Sequence, residues 1–180
     1  MATGDTKWVI TMHPRLAKYF HQVYYLVIDY TFKRVKGDID EWEIVGFIKR
    51  FKRRKPSSVN QKGHFLTIHD SDCILGVTLA RFYCDRNTRH AFSRLFSELF
   101  RLIPDLTGSI LKFFTFFPND PDALLHAIIL DAEAAQAQGL GEELLVYVAK
   151  NVSEANKTLP RNALDLLMMI LKTCYIHYWR

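Results

Sequence analysis

The apolar and polar positions divide the chain into strand-like stretches followed by helix-like ones. "VYYLVI" (23–28) is apolar throughout and rich in β-branched and aromatic side chains. That pattern suits a central strand buried on both faces of a sheet. After the turn signal "GDID" (37–40), "EWEIVGFIKR" (41–50) predicts a second strand with Trp42, Ile44, Gly46 and Ile48 on one face. "ILGVTLARFY" (74–83) predicts a third. Near Asn87 the period becomes helical: Phe92, Leu95, Phe96, Leu99 and Ile103 share one face, and Pro104 is expected to end the helix. "LKFFTFF" predicts a short strand closed by Pro118, and "HAIILD" (126–131) a further short, buried one.

"EAAQAQGLGEELLVYVAK" predicts a helix broken or restarted at Gly139 and Gly141. A last helix starts around Pro160 and carries Leu164, Leu167, Met168, Leu171 and Cys174 along one stripe. Residues 1–22, ending in "MHPRLAKYFHQ", read as a helical lead-in, and 23–180 as one domain. The polar stretch 52–73, with "KPSSVNQKG" at its heart, reads as a long loop or insertion. Strands first and helices interleaved later imply a layered α/β or α+β sheet.

Composition narrows the class. With 180 residues, 49% of them hydrophobic, the chain can bury a proper core. The net charge of +5 matters through its distribution. "KRFKRRK" gathers Lys49, Arg50, Lys52, Arg53, Arg54 and Lys55, whereas Asn119 to Ala155 is predominantly acidic. The basic cluster fits sequence-independent phosphate contact, a nuclear import signal, or simply a solvated strand end. Three cysteines and no signal-peptide pattern suggest a reduced, intracellular setting. No apolar stretch approaches the roughly 20 residues of a bilayer span, so no membrane partner is expected.

The candidate chemistry lies in two aspartates. Asp29 and Asp131 each close an apolar strand, and carboxylate oxygens are the ligands that Mg²⁺ and Mn²⁺ prefer. Spacing alone leaves open the plainer reading, a strand-end acid bonded to nearby backbone N–H groups. Glu133, at a helix start, is expected to complement the helix dipole rather than ligate metal. Cys174 and His177, three residues apart, could join His69 and Cys73 around zinc. Core packing for Cys174 and a structural hydrogen bond for His177 are preferred, and zinc is not expected. Phe92, Phe96 and Phe100 have the spacing of core residues rather than of a base-stacking platform.

Four stretches in order, "IDYTFKRVKGDIDEWEIVGF", "GVTLARFYCDRNTRHAFSRLFSELF", "AIILDAEAAQAQGLG" and "CYIH", resemble the transposase domain of Mutator-like elements, in particular a fungal branch. The resemblance covers the chain from Val23 onward. It implies a ribonuclease H-like mixed sheet flanked by helices, in which the first and fourth strands lie parallel and bring Asp29 beside Asp131. It further implies metal-dependent cleavage and strand transfer of double-stranded DNA in the nucleus by two aspartates and a glutamate with Mg²⁺ or Mn²⁺. Asp29 and Asp131 match the two aspartates, and Cys174 and His177 match the family's C-x-x-H element.

The family's third acid lies well downstream and has no counterpart before Arg180, and 56–73 departs from the fungal pattern. The expectation is therefore a C-terminally truncated transposase domain, inactive as this chain alone, with any homo-oligomer formed through missing regions. The alternatives are a non-catalytic nuclear DNA-binding or regulatory protein of transposase descent, and an inert remnant.

Overall fold

The computed structural model describes residues 7–31, 37–51, 72–131, 133–152 and 159–173. Six strands, β1 (Trp8–Met12), β2 (Val23–Thr31), β3 (Asp40–Phe51), β4 (Asp72–Cys84), β5 (Ala127–Leu130) and β6 (Leu171–Thr173), form one mixed sheet in the order β1-β4-β3-β2-β5-β6. The pairs β1–β4, β4–β3 and β3–β2 are antiparallel, while β2–β5 and β5–β6 are parallel. The helices are α1 (Pro14–Ala17), α2 (Arg89–Thr107), α3 (Ala134–Asn151) and α4 (Ala163–Ile170). This is the expected mixed α/β sheet flanked by helices.

Alternation along β2 and β3 builds the core. Leu26, Ile28, Trp42, Ile44 and Ile48 are buried and share one face with Phe82 of β4 and with Ile128 and Leu130 of β5. Against that face α2 lays Phe92, Leu95, Phe96, Leu99 and Ile103, all buried, and the Phe92 ring meets Trp42 edge-on at 5.4 Å. Leu140 and Leu144 of α3 and Leu166, Leu167 and Ile170 of α4 join the same cluster. On the sheet's other face Tyr25 is 45% exposed, and Val27, Val45 and Phe47 are half-buried. The strand "VYYLVI" is therefore central, as expected, but packed tightly on one side only.

Several expected elements differ, each for a local reason. The lead-in is helical only from Pro14: Trp8–Met12 is a strand, because Trp8, Ile10 and Met12 alternate inward and pair along the edge of β4. Helix α2 runs three residues past Pro104. That proline lies in the last turn, where its missing N–H removes a single bond, and the helix ends instead at Gly108, with φ +78°. "LKFFTFF" contributes one isolated bridge, Phe113 to Leu125, while Phe113 and Phe116 turn inward.

Helix α3 is continuous through both glycines. A Cβ at Gly139 would lie 2.6 Å from the backbone nitrogen of Ser93 and 2.7 Å from Phe92 Cβ, so this glycine permits close approach of α2 rather than a break. Helix α4 ends at Ile170, where the chain turns into β6. Its buried side chains are Leu166, Leu167 and Ile170, while Leu164 and Met168 face solvent. The stripe expected to reach Cys174 is thus replaced by a strand.

Candidate functional site

The strands that lead into the two acids pair in parallel. In the parallel pair β2–β5, Leu26 faces Ile128 and Ile28 faces Leu130. The paired register ends there; continued by one residue it would bring Asp29 opposite Asp131 at a strand spacing of about 4.8 Å. Ile28 and Leu130 point into the core, so Asp29 points to the opposite, open face, where it is exposed and Asp131 half-buried. Asp29 belongs to β2, while Asp131 is the first residue after β5.

Antiparallel pairing extends the row. Asp29 lies opposite Glu43 of β3, and Glu43 opposite Arg81 of β4. Like charges set opposite one another destabilise a sheet, and Arg81 offsets the penalty. Its Nη2 stands 3.1 Å from Glu43 Oε1, and its Nε 3.4 Å from Oε1 of Glu41. Glu41 is 4% exposed, and Tyr83 donates its hydroxyl to the same carboxylate at 3.4 Å. Desolvation works against the charged form, yet a hydrogen bond with Tyr83 and then the charges of Glu43 and Glu41 hold the Arg81 guanidinium above its usual pKa.

Beyond Asp131 the chain turns into α3. The Glu133 N–H donates to the Asp131 carbonyl at 2.7 Å, and Glu133 takes the N-cap position without making a side-chain cap bond. Glu133 thus stands at the helix N-terminus, the position from which a carboxylate complements the dipole, without a capping hydrogen bond. Desolvation raises the pKa of Glu133, and the carboxylates of Asp131 and Asp40 add to the rise while a hydrogen bond from Gln136 opposes it. Asp40 accepts a short hydrogen bond from the Tyr30 hydroxyl, which pushes the tyrosine pKa up to about 12. Gln136, 1% exposed, donates Nε2 to Glu133 Oε2 at 3.3 Å, and its Oε1 has no hydrogen-bond partner.

The donor set of Asp29 and Asp131 is hard oxygen, which suits Mg²⁺ or Mn²⁺. Among the described residues, no group of three or more His, Cys, Asp or Glu side chains is arranged to hold a metal ion.

Of the other sequence candidates, Lys49 and Arg50 lie on β3, but their side chains are outside the described residues. So are Lys52, Arg53, Arg54, Lys55, His69, Cys174 and His177 entirely, and the side chain of Cys73. Phe92 and Phe96 are core residues, as their spacing predicts, and Phe100 packs against the core. Among the described residues no helix is long and apolar enough to cross a membrane.

Sequence reasoning missed Glu43, Arg81 and Gln136. Glu43 had a signal: a hairpin centred near residue 36 sets Asp29 opposite it. Gln136 had none, since its burial depends on how closely α2 and α3 approach.

No protein-family model matches the chain, and neither the curated proteins nor the solved structures compared with it include a significant match.

Proposed function

We propose that this chain is a ribonuclease H-like domain of transposase descent whose Asp29 and Asp131 hold a divalent cation on the open face of the sheet and engage double-stranded DNA there. The observation that carries this reading is the parallel β2–β5 pairing, which joins the strands leading into the two aspartates although a hairpin, a third strand and a long helix separate them in sequence. The order β4-β3-β2-β5-β6, with α2 leading into β5 and α3 and α4 leading into β6, supports the ribonuclease H-like assignment.

Asp29 and Asp131 would hold Mg²⁺ or Mn²⁺, which when bound supplies activation of an attacking oxygen and stabilisation of a leaving one in phosphodiester cleavage. The chain's own contribution is positional. Asp29 is fixed within a central strand and Asp131 by the turn into α3, so both oxygens are oriented before a phosphate arrives. Lys49, Arg50, Lys52, Arg53, Arg54 and Lys55 would neutralise phosphates, independently of sequence.

The test pairs Mn²⁺ binding with supercoiled-plasmid nicking in Mg²⁺ or Mn²⁺. Mn²⁺ binding should disappear in the Asp29→Ala, Asp131→Ala double variant, duplex DNA binding should weaken steeply with salt, and any nicking should vanish with the metal. Nicking or Mn²⁺ binding that survives both substitutions overturns the assignment. Salt-sensitive DNA binding without Mn²⁺ binding overturns the metal site in favour of a non-catalytic DNA-binding domain.

A further inference from the structure

The two edges of the sheet are finished differently. At one, β6 is 3 residues long and carries the exposed Lys172, and both features discourage a further strand. At the other, β1 covers β4 only from Ala80 to Cys84. Ahead of Ala80, β4 pairs with β3 on one side, and among the described residues no strand lies on the other. The cover stops at an irregularity. Ile44 faces Ala80 and Val45 faces Thr78, so Leu79 is an extra residue, and such bulges terminate pairing.

The uncovered stretch lacks the usual protection of an edge. "ILGVTLA" (74–80) contains no charge and no proline, and Leu75 is 41% exposed. An apolar, uncharged edge that presents backbone N–H and C=O groups is a template for an added strand. Beside it, where β1 gives way to α1, lies an open cavity of about 430 Å³ with Met12, Leu16 and Leu79 in its lining. Edge and cavity together suit an extended chain, its backbone on the edge and an apolar side chain in the cavity.

Charge narrows the kind of chain. His13 and Arg81 also line the cavity, and among the described residues no carboxylate does. His13 Nδ1 accepts the Arg15 N–H at 3.2 Å, so in the neutral ring Nε2 is the donor. Arg81 turns Nε and Nη2 toward Glu41 and Glu43 and is still 44% exposed. Arg15 and Lys18, both exposed, extend the basic rim past the end of β1.

We propose that the free edge of β4, from Leu75 to Leu79, takes an extended segment of a partner protein as an added strand, with an apolar side chain in the cavity and acidic residues against His13, Arg15 and Lys18. This surface involves neither Asp29 nor Asp131, so it stands or falls apart from the cation reading.

The test titrates the intact 180-residue chain into a short fluorescein-labelled peptide that alternates valine with threonine and ends in aspartates, read by fluorescence anisotropy. A second peptide has the same side chains but N-methyl groups on alternate residues, which removes the donors that strand pairing needs. The parent should bind the first peptide and not the second, and binding should slow amide exchange at alternate residues between Leu75 and Leu79. Leu75→Lys and the Arg15→Glu, Lys18→Glu double variant should each weaken binding by about tenfold. Both alter exposed positions, so the thermal midpoint should stay near that of the parent.

Equal binding of the two peptides overturns strand addition. Binding indifferent to the charge reversal at Arg15 and Lys18 overturns the acidic partner. Failure of the parent to bind overturns the inference altogether. Amides from Leu75 to Leu79 protected in the free chain at every concentration would then assign the edge to the chain itself, and protection that grows with protein concentration would assign it to a second copy.

Discussion

On the helix-covered face of the sheet stand Leu26, Ile28, Trp42, Ile44 and Phe82, each buried. One residue along the same strands, on the opposite face, stand Tyr25, Val27, Asp29, Glu43 and Arg81, and here charge and partial exposure prevail. The two faces share backbone, register and twist, so the contrast isolates what side chains alone contribute. The covered face is mostly apolar, with the Tyr30 hydroxyl bonded to Asp40 at its end and the Trp42 indole N–H buried without a partner. On the open face Arg81 pairs with both Glu41 and Glu43 of the neighbouring strand.

The comparison can be broken most forcefully from the covered side. Trp42→Ala should cost about 3–5 kcal/mol in urea unfolding, because it removes the ring between Tyr30, Phe82 and Phe92. Trp42→Phe should cost markedly less, since the lost N–H makes no hydrogen bond. Gly139→Leu should cost about 1–3 kcal/mol or more by forcing α3 away from Ser93 and Phe92, although glycine-to-leucine favours helix in isolation. A variant at least as stable as the parent would show that the helix layer is softer than the structure implies.

From the open side, Arg81→Met should cost on the order of 1–2 kcal/mol, below the full value of a buried pair because Arg81 is 44% exposed and screened by solvent. Adding Glu41→Gln should recover part of that loss, because the buried charge is then gone. Additive effects in the double variant would show that the two side chains are not coupled.

The smallest effect lies at the rim of the helix layer. His21 bonds Thr107 Oγ1 at 2.8 Å, and burial, with Lys112 adding to it, lowers its pKa. A lowered histidine pKa favours the neutral ring in the fold. Its contribution is therefore complete above the unfolded value of about 6.5 and is lost as pH falls through the lower, folded one. Comparing His21→Gln with the parent between pH 7.5 and 5 should remove a slope of a few tenths of a kcal/mol. An identical slope would assign the acid sensitivity elsewhere.

Periodicity made the covered face readable. The predicted face of α2 is buried residue for residue, and Trp42, Ile44, Gly46 and Ile48 share a face as their alternation requires. Errors arose where one residue has two physical uses. Gly139 reads locally as a helix breaker, but at a helix crossing its missing side chain is what lets two backbones meet. Pro104 reads as a stop, yet it is tolerated in a final turn. The open face was legible only as isolated acids. That the strands leading into Asp29 and Asp131 pair in parallel follows from topology, which periodicity alone could not show. Gln136 looked like any helical glutamine until the packing that buries it was in view.

Gly139 stands one helical turn after Gln136. A contact so close that no methyl group fits acts as a detent: α3 cannot slide or roll along α2 without riding up over the Ser93 backbone. The first turn of α3, which follows directly on β5, is thus indexed against α2.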